Sequence, residues 1–295
     1  MALKIEILSL GEVVLDSSLV VLYSTPGNPV QVPTWGYLIL GGEEGPMLVD
    51  TGYRDPSVLE VIGMKGIIRP GAGLENELAR HGMKPADIRY VIHTHLHMDH
   101  VGKDDIFPMS TTMVVNRREL EVAAGHGTMA YQPRDTKHII DRVYTGGASW
   151  LLDLAYSGPV EVVPGVVCVL AGGHTEGSMN VLVETSDGTA CICGDVIYNV
   201  QQQIVGPTFQ LQYREPKTTG NFDVSVTQER GAVKKALSSG TWLLPMHDQP
   251  AKLDRLGRVI GRLEGKSIPG PLATPGKEDG KALDLDLTRA QSMLW

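Results

Sequence analysis

Eight consecutive residues, His93-Thr94-His95-Leu96-His97-Met98-Asp99-His100, constrain this chain more than anything else in its 295 residues. Five of them can bind a metal ion, and imidazole with carboxylate suits zinc first, with iron, manganese or cobalt served by the same donors. Side chains alternate along extended backbone, so His95 and His97 point the same way if the stretch continues the strand predicted at Arg89–Ile92. Asp99 and His100 then fall on the following turn, placed to face a second ion. A histidine-rich surface loop is the bland alternative, but it leaves the rest of the pattern unexplained. His174 in Gly172-Gly173-His174-Thr175, Asp195 in Cys193-Gly194-Asp195 and His247 in Pro245-Met246-His247 each follow directly on a predicted strand. Singly, each is more often structural than functional. As a set with the octet, loop ends converging on one rim make them candidate ligands.

The remaining pattern predicts the frame. Strands are expected at Lys4–Leu10, Tyr37–Leu40, Met47–Asp50, Met113–Val115, Val160–Val163, Val166–Leu170, Val181–Glu184, Ala190–Cys193 and Trp242–Leu244. Helices are expected at Leu74–His81, Arg118–Ala124, Thr227–Leu237 and Ala251–Leu263. Strand-rich halves closed by helices predict an α/β chain with two sheets face to face and helices outside. Ser24–Pro33 and Gln201–Phe222 read as irregular, and Ser24–Trp35 with Gln201–Phe222 is expected to supply specificity walls, since loops on a rigid scaffold carry recognition. Residues 1–265 read as one domain and 266–295 as a C-terminal extension, partly loosely ordered, in which Ala282–Trp295 is apolar enough to dock.

Charge narrows the partners. The formal net charge is −8, with no long Lys/Arg run, which disfavours nucleic acid. No stretch is apolar enough to span a membrane, and the N-terminus lacks a leader pattern. Three cysteines, Cys168, Cys191 and Cys193, suit a reducing cytoplasm rather than a disulfide framework. Cys191 and Cys193 share a strand face with Asp195, but small buried apolar residues are the plain reading.

The His95-x-His97-x-Asp99-His100 motif resembles the hallmark of the metallo-β-lactamase fold superfamily, a four-layer αββα sandwich. Val32-Pro33-Thr34-Trp35-Gly36-Tyr37-Leu38, Glu44 through Gly52 and Val162-Val163-Pro164-Gly165-Val166 look most like the N-acyl-homoserine lactonases of that superfamily. The resemblance implies that His95, His97 and His174 hold a first metal, that Asp99, His100 and His247 hold a second, and that Asp195 bridges them. It implies Asp50 as a support beneath the site and Tyr198 as a hydroxyl aimed at the substrate carbonyl or leaving group. One departure is Gly172 where the family has proline before the third histidine.

The resemblance thus implies a dinuclear hydrolase that opens a lactone, with metal-bound hydroxide attacking the carbonyl, Tyr198 steadying the oxyanion and Asp99 able to pass a proton to the leaving alkoxide. The alternative is a hydrolase of the same fold acting on another ester, thioester or cyclic amide, glyoxalase-II-like or arylesterase-like. A small-molecule substrate is expected, and the family resemblance is compatible with a homodimer. His93 is read as structural or supporting, Asp248 as orienting His247, and Arg214 and Lys217 as solvated charges.

Overall fold

Alternation along single strands decides the layering. In β3 (Met47–Val49), Met47 and Val49 enter one apolar cluster and Leu48 another. In β11 (Gly188–Gly194), Ala190 and Ile192 join the first cluster while Cys191 and Cys193 join a third. Each strand therefore feeds two layers, as its period-two geometry requires.

The structure, a computed structural model, describes residues 2–22, 24–125, 128–205, 215–220, 223–263 and 291–292. One sheet runs β4-β1-β2-β3-β5-β6-β7, from β1 (Lys4–Asp16), β2 (Pro29–Leu40), β3, β4 (Lys65–Ile67), β5 (Tyr90–Ile92), β6 (Thr112–Asn116) and β7 (Ser149–Leu152). The other runs β15-β14-β13-β12-β11-β10-β9-β8. It comprises β8 (Val160–Val163), β9 (Val166–Leu170), β10 (Met179–Thr185), β11, β12 (Trp242–Pro245), β13 (Ala251–Leu253), β14 (Val259–Arg262) and β15 (Gln291–Ser292). Ile5, Ile7, Tyr37, Val49 and Ile92 of the first sheet pack on Val166, Val181, Ile192 and Trp242 of the second.

Helices close the outer faces. Among α1 (Ser17–Val20), α2 (Leu74–Arg80), α3 (Met98–Val101), α4 (Arg117–Ala124), α5 (Pro133–Val143), α6 (Leu154–Ser157) and α7 (Val226–Ser238), α2 and α5 place Leu74, Leu78 and Ile139 against Leu8, Leu38 and Leu48. On the other side α7 sets Ala232, Val233 and Ala236 over Cys191, Cys193 and Leu243. A capping box starts α7: Ser225 Oγ accepts from Gln228 N at 3.2 Å, and Gln228 Oε1 accepts from Ser225 N at 2.9 Å. The αββα sandwich expected from the sequence is the architecture observed.

Two expectations are corrected. Ala251–Leu263 is not a helix but the antiparallel pair β13–β14. Between them Asp254 Oδ1 accepts from the backbone N–H groups of Leu256 and Arg258 at 2.9 Å each, taking donors that a helix would have used. Ser24–Pro33 is only partly irregular, because β2 begins at Pro29. The prolines fit there because β3 pairs with β2 only from Tyr37 to Ile39, so one edge upstream demands no ladder hydrogen bond. Residues 206–214 and 221–222 of the second irregular stretch, and all of the expected extension except Gln291–Ser292, lie outside the described residues. That dipeptide pairs antiparallel with β14.

What positions the site is strand direction. β3 and β5 run parallel in one sheet, and β11 and β12 run parallel in the other. Asp50, His93, Asp195 and His247 all lie within two residues past those strand ends, at the carboxyl rim where open α/β sheets leave crevices.

Candidate metal centre

The histidines and aspartates far apart in sequence meet in two adjoining groups. His95, His97 and His174 form one; Asp99, His100, Asp195 and His247 form the other, and within each group the potential ligand atoms lie within 4.8 Å of one another. Asp195 faces both. Its Oδ2 lies 3.6 Å from His174 Nε2 and 3.9 Å from His95 Nε2, whereas its Oδ1 lies 3.1 Å from His100 Nε2 and 3.3 Å from His247 Nε2. His247 Nε2 is also 3.4 Å from Asp99 Oδ2. All seven residues named from the sequence are therefore brought together.

Contacts behind the rings fix which nitrogen faces inward. His247 Nδ1 donates to the Pro33 carbonyl at 2.7 Å, and His100 Nδ1 lies 2.9 Å from Asp50 Oδ2. Each partner leaves Nε2 turned to the cluster, the arrangement by which an outer partner sets a ligating imidazole's tautomer. Asp50 also accepts from Thr94 N at 2.8 Å and Thr94 Oγ1 at 2.7 Å. It holds this place at φ 60°, a left-handed conformation that an aspartate tolerates better than most side chains and that its three bonds enforce. Gly194, at φ 52°, is required for a different reason: a Cβ there would lie 2.5 Å from Thr94 Oγ1.

Burial and charge divide the cluster. Burial and neighbouring imidazoles push His97 down to about 3 and His95 well below the ordinary histidine range. His174 falls to about 4, chiefly through burial. His247 goes the other way: burial opposes the charge, but Asp195 and Asp99 raise it to about 10. Burial likewise opposes ionisation of Asp195, yet His247 and His100 hold its carboxyl well below the usual range. One half thus holds imidazoles that favour the neutral form, while in the other Asp99 and Asp195 draw positive charge onto His100 and His247. The inward Nε2 of His95 is buried without a hydrogen-bond partner, and His97 turns its Nδ1 to His174 Nε2 at 3.0 Å. Buried polar atoms are normally paired, so neutral nitrogens and ionised carboxylates aimed at one another fit divalent cations.

Tyr198 stacks on His247 with ring centroids 5.0 Å apart, and its hydroxyl hydrogen-bonds to Asp195 Oδ2. Burial and Asp195 raise its pKa well above the ordinary phenol value, so it stays protonated and can only donate there. Above it opens a pocket of about 220 Å³, with Val13, Leu15, Leu19, Val32, Ile62 and Met64 on one wall and His97, Asp99, Asp195, Tyr198 and His247 at the floor. Val32, Thr219 and Gly220 come from the two stretches expected to supply walls, whereas the contribution of β1 was missed.

Other residues fall outside the cluster. His93 Nε2 lies 2.9 Å from Asp104 Oδ2; burial opposes its charge, but Asp104 and Asp50 raise it to about 9. It lies beside the cluster rather than in it, the structural or supporting place expected of it. Asp248 does not orient His247. Its carboxylate accepts from Val200 N at 2.7 Å and pairs with Arg262 at 2.6 Å, leaving that task to Pro33. Cys191 and Cys193 are buried free thiols, and burial pushes Cys191 up to about 12. Lys217 is exposed, while Arg214 lies outside the described residues. Sequence reasoning missed Glu119, a buried carboxylate that accepts from Leu96 N and Tyr131 Oη at 2.9 Å each and from Thr175 Oγ1 at 2.5 Å. No local signal marked it, because α4 carries charges at Arg117, Arg118 and Glu121 as well.

An αββα sandwich carrying a buried His/Asp cation cradle at its rim defines a class of metal-dependent enzymes. The chain belongs to the metallo-beta-lactamase superfamily, whose signature matches residues 30–247. An N-acyl homoserine lactonase of Bacillus cereus is 36% identical over 194 residues, covering 62% of this chain and 70% of that protein. A Bacillus thuringiensis lactonase variant with N-decanoyl-L-homoserine bound at its active site superposes with TM-score 0.63 at 26% identity, over 80% of this chain and 88% of that one. A probable metal-dependent hydrolase from Staphylococcus aureus shares the fold at TM-score 0.67 and 18% identity, over 91% and 99%.

Proposed function

We propose that this protein hydrolyses lactones, with N-acyl-homoserine lactones as the substrate class, at a centre that holds two divalent cations, zinc first among them. One observation carries the reading: Asp195 turns one oxygen to each half of a buried donor set, beneath a pocket with an apolar wall. The lactonase relatives support it, and the N-decanoyl-L-homoserine bound in one of them suits the apolar wall seen here.

His95, His97 and His174 would hold one cation, Asp99, His100 and His247 the other, and Asp195 would serve both. When bound, such cations supply a hydroxide nucleophile near neutral pH and polarise the scissile carbonyl. The chain's own residues do the rest. Asp50 and the Pro33 carbonyl hold His100 and His247 in register. Tyr198, a protonated phenol at the pocket floor, would turn its hydroxyl from Asp195 to donate to the oxygen on which charge develops. Asp99, at the floor and in contact with His247, would take the proton of the attacking hydroxyl and hand it to the leaving alkoxide. The apolar wall seats the acyl chain and excludes water from the opening ring.

The deciding experiment joins metal analysis to acid release from a lactone panel in a pH-stat. Two cations per chain, acid release from acyl-homoserine lactones and loss of both on chelation are expected. Full activity in metal-free protein would overturn the reading. A cytoplasmic place belongs to the same proposal, supported by the free, buried cysteines. Among the described residues, no helix is long and apolar enough to cross a membrane. A homodimer is the assembly proposed, readable by light scattering.

A further inference from the structure

The three-histidine half draws on both sheets. His95 and His97 follow β5 in the first sheet, whereas His174 follows β9 in the second. The backbone joins those two loops where Met179 N donates to the Thr94 carbonyl at 2.8 Å, one residue before His95 and five after His174. Nearer the rings, a single carboxylate bonds to both loops at once. Glu119, in the first turn of α4 and 1% exposed, accepts through Oε1 from Leu96 N, between His95 and His97, at 2.9 Å. Through Oε2 it accepts from Thr175 Oγ1, next to His174, at 2.5 Å. The Tyr131 hydroxyl donates to Oε1 at 2.9 Å, and the Tyr131 ring stands edge-on to His97 with centroids 4.6 Å apart.

The fit of the His174 loop against α4 is close. A Cβ at Gly177 would lie 2.2 Å from Glu119 N, and Asn116 Nδ2, just before α4, donates to the Gly177 carbonyl at 2.8 Å. Thr175 is held in turn by Ser178, whose Oγ accepts from Thr175 N at 2.8 Å. The other half of the centre has its own carboxylate, Asp50, bonded to Thr94 and His100. Glu119's three hydrogen bonds go to Leu96, Tyr131 and Thr175.

We propose that Glu119 is a positioning residue, a buried latch that ties the His174 loop to the His95–His97 loop across the seam between the sheets and so sets cation affinity in the three-histidine half alone. This rests on the two-cation part of the proposed function. The carboxylate touches no reacting atom. It fixes the spacing between rings that a cation would need to find already in place. Loss of such an outer partner weakens metal binding by roughly 10–100-fold.

Stepwise titration of metal-free protein with Co²⁺, read from its visible absorption and by competition with a chromophoric chelator, tests this without any lactone. E119A is expected to weaken one of the two binding steps by roughly 10–100-fold and to leave the other unchanged. E119Q keeps an acceptor oxygen and is expected to recover most of the loss. T175V, which leaves Glu119 in place and removes only the bond across the seam, is expected to weaken the same step by a smaller factor, and it carries the test if E119A fails to fold. Two unchanged steps in T175V, equal weakening of both steps in E119A, or no recovery in E119Q overturns the latch. A wild type that takes up both cations yet releases no acid from lactones sinks the proposed function and leaves the latch standing; fewer than two cations in the wild type overturns both.

Discussion

At the scale of residues, the octet was legible because its spacing is local, and the ligand positions from His95 to His247 can be named from strand ends and a short motif. Glu119 was not, since its partners Leu96 and Thr175 lie 23 and 56 residues away, and a glutamate in the first turn of a helix is ordinary by itself. Pro33 was missed for the same reason, because it acts through a backbone carbonyl that carries no residue signature. Tyr198 gives the sharpest chemical prediction. Y198F removes the donor at the pocket floor and should lower kcat by about tenfold or more, equivalent to ~1.4 kcal/mol of transition-state stabilisation, while atomic absorption still finds the full metal content. An unchanged kcat would leave the phenol a packing residue. D50A should cut metal affinity roughly 10–100-fold, measured by chelator competition, because His100 then loses the carboxylate that orients it.

At the scale of elements, most strands and the helices α2, α4 and α7 followed from alternation and caps, whereas α5 went unpredicted and Ala251–Leu263 was given the wrong class. Ala251–Leu263 carries apolar residues at spacings that satisfy either period, and the Asp254 side chain decides for a turn by capturing backbone donors. The short helix α2 offers a test by pH. Burial raises the Glu77 carboxyl to about 7, with Arg80 opposing the shift. Its folded value lies above the unfolded one, so the folded chain holds the extra proton between about 4.5 and 7 and stability falls as pH rises through that window. The urea midpoint of the wild type should therefore drop more between pH 5 and pH 8 than that of E77Q; parallel profiles would contradict the assignment. G194A belongs to this scale too. Its methyl would press on Thr94 from the end of β11, so the variant should lose thermal stability and metal together, which calorimetry and metal analysis read separately.

For the whole molecule, the sandwich and its carboxyl rim were readable as a class, but the layer that each loop joins was not, because sequence order does not say which sheet a strand enters. Cations bound only by the folded form add stability of RT ln(1 + [L]/Kd), about 2.7 kcal/mol when the free ion stands at 100 times Kd. Melting temperature should accordingly climb with added zinc and fall with chelator, and a melting curve indifferent to both would contradict a cation centre in the folded protein. Finally, the donor set straddles the two leaves of the sandwich, with His174 arriving from one and His95 and His97 from the other. An ion seated there is a rivet through both leaves. Removing such an ion should therefore loosen the seam between the leaves as well as empty the cradle.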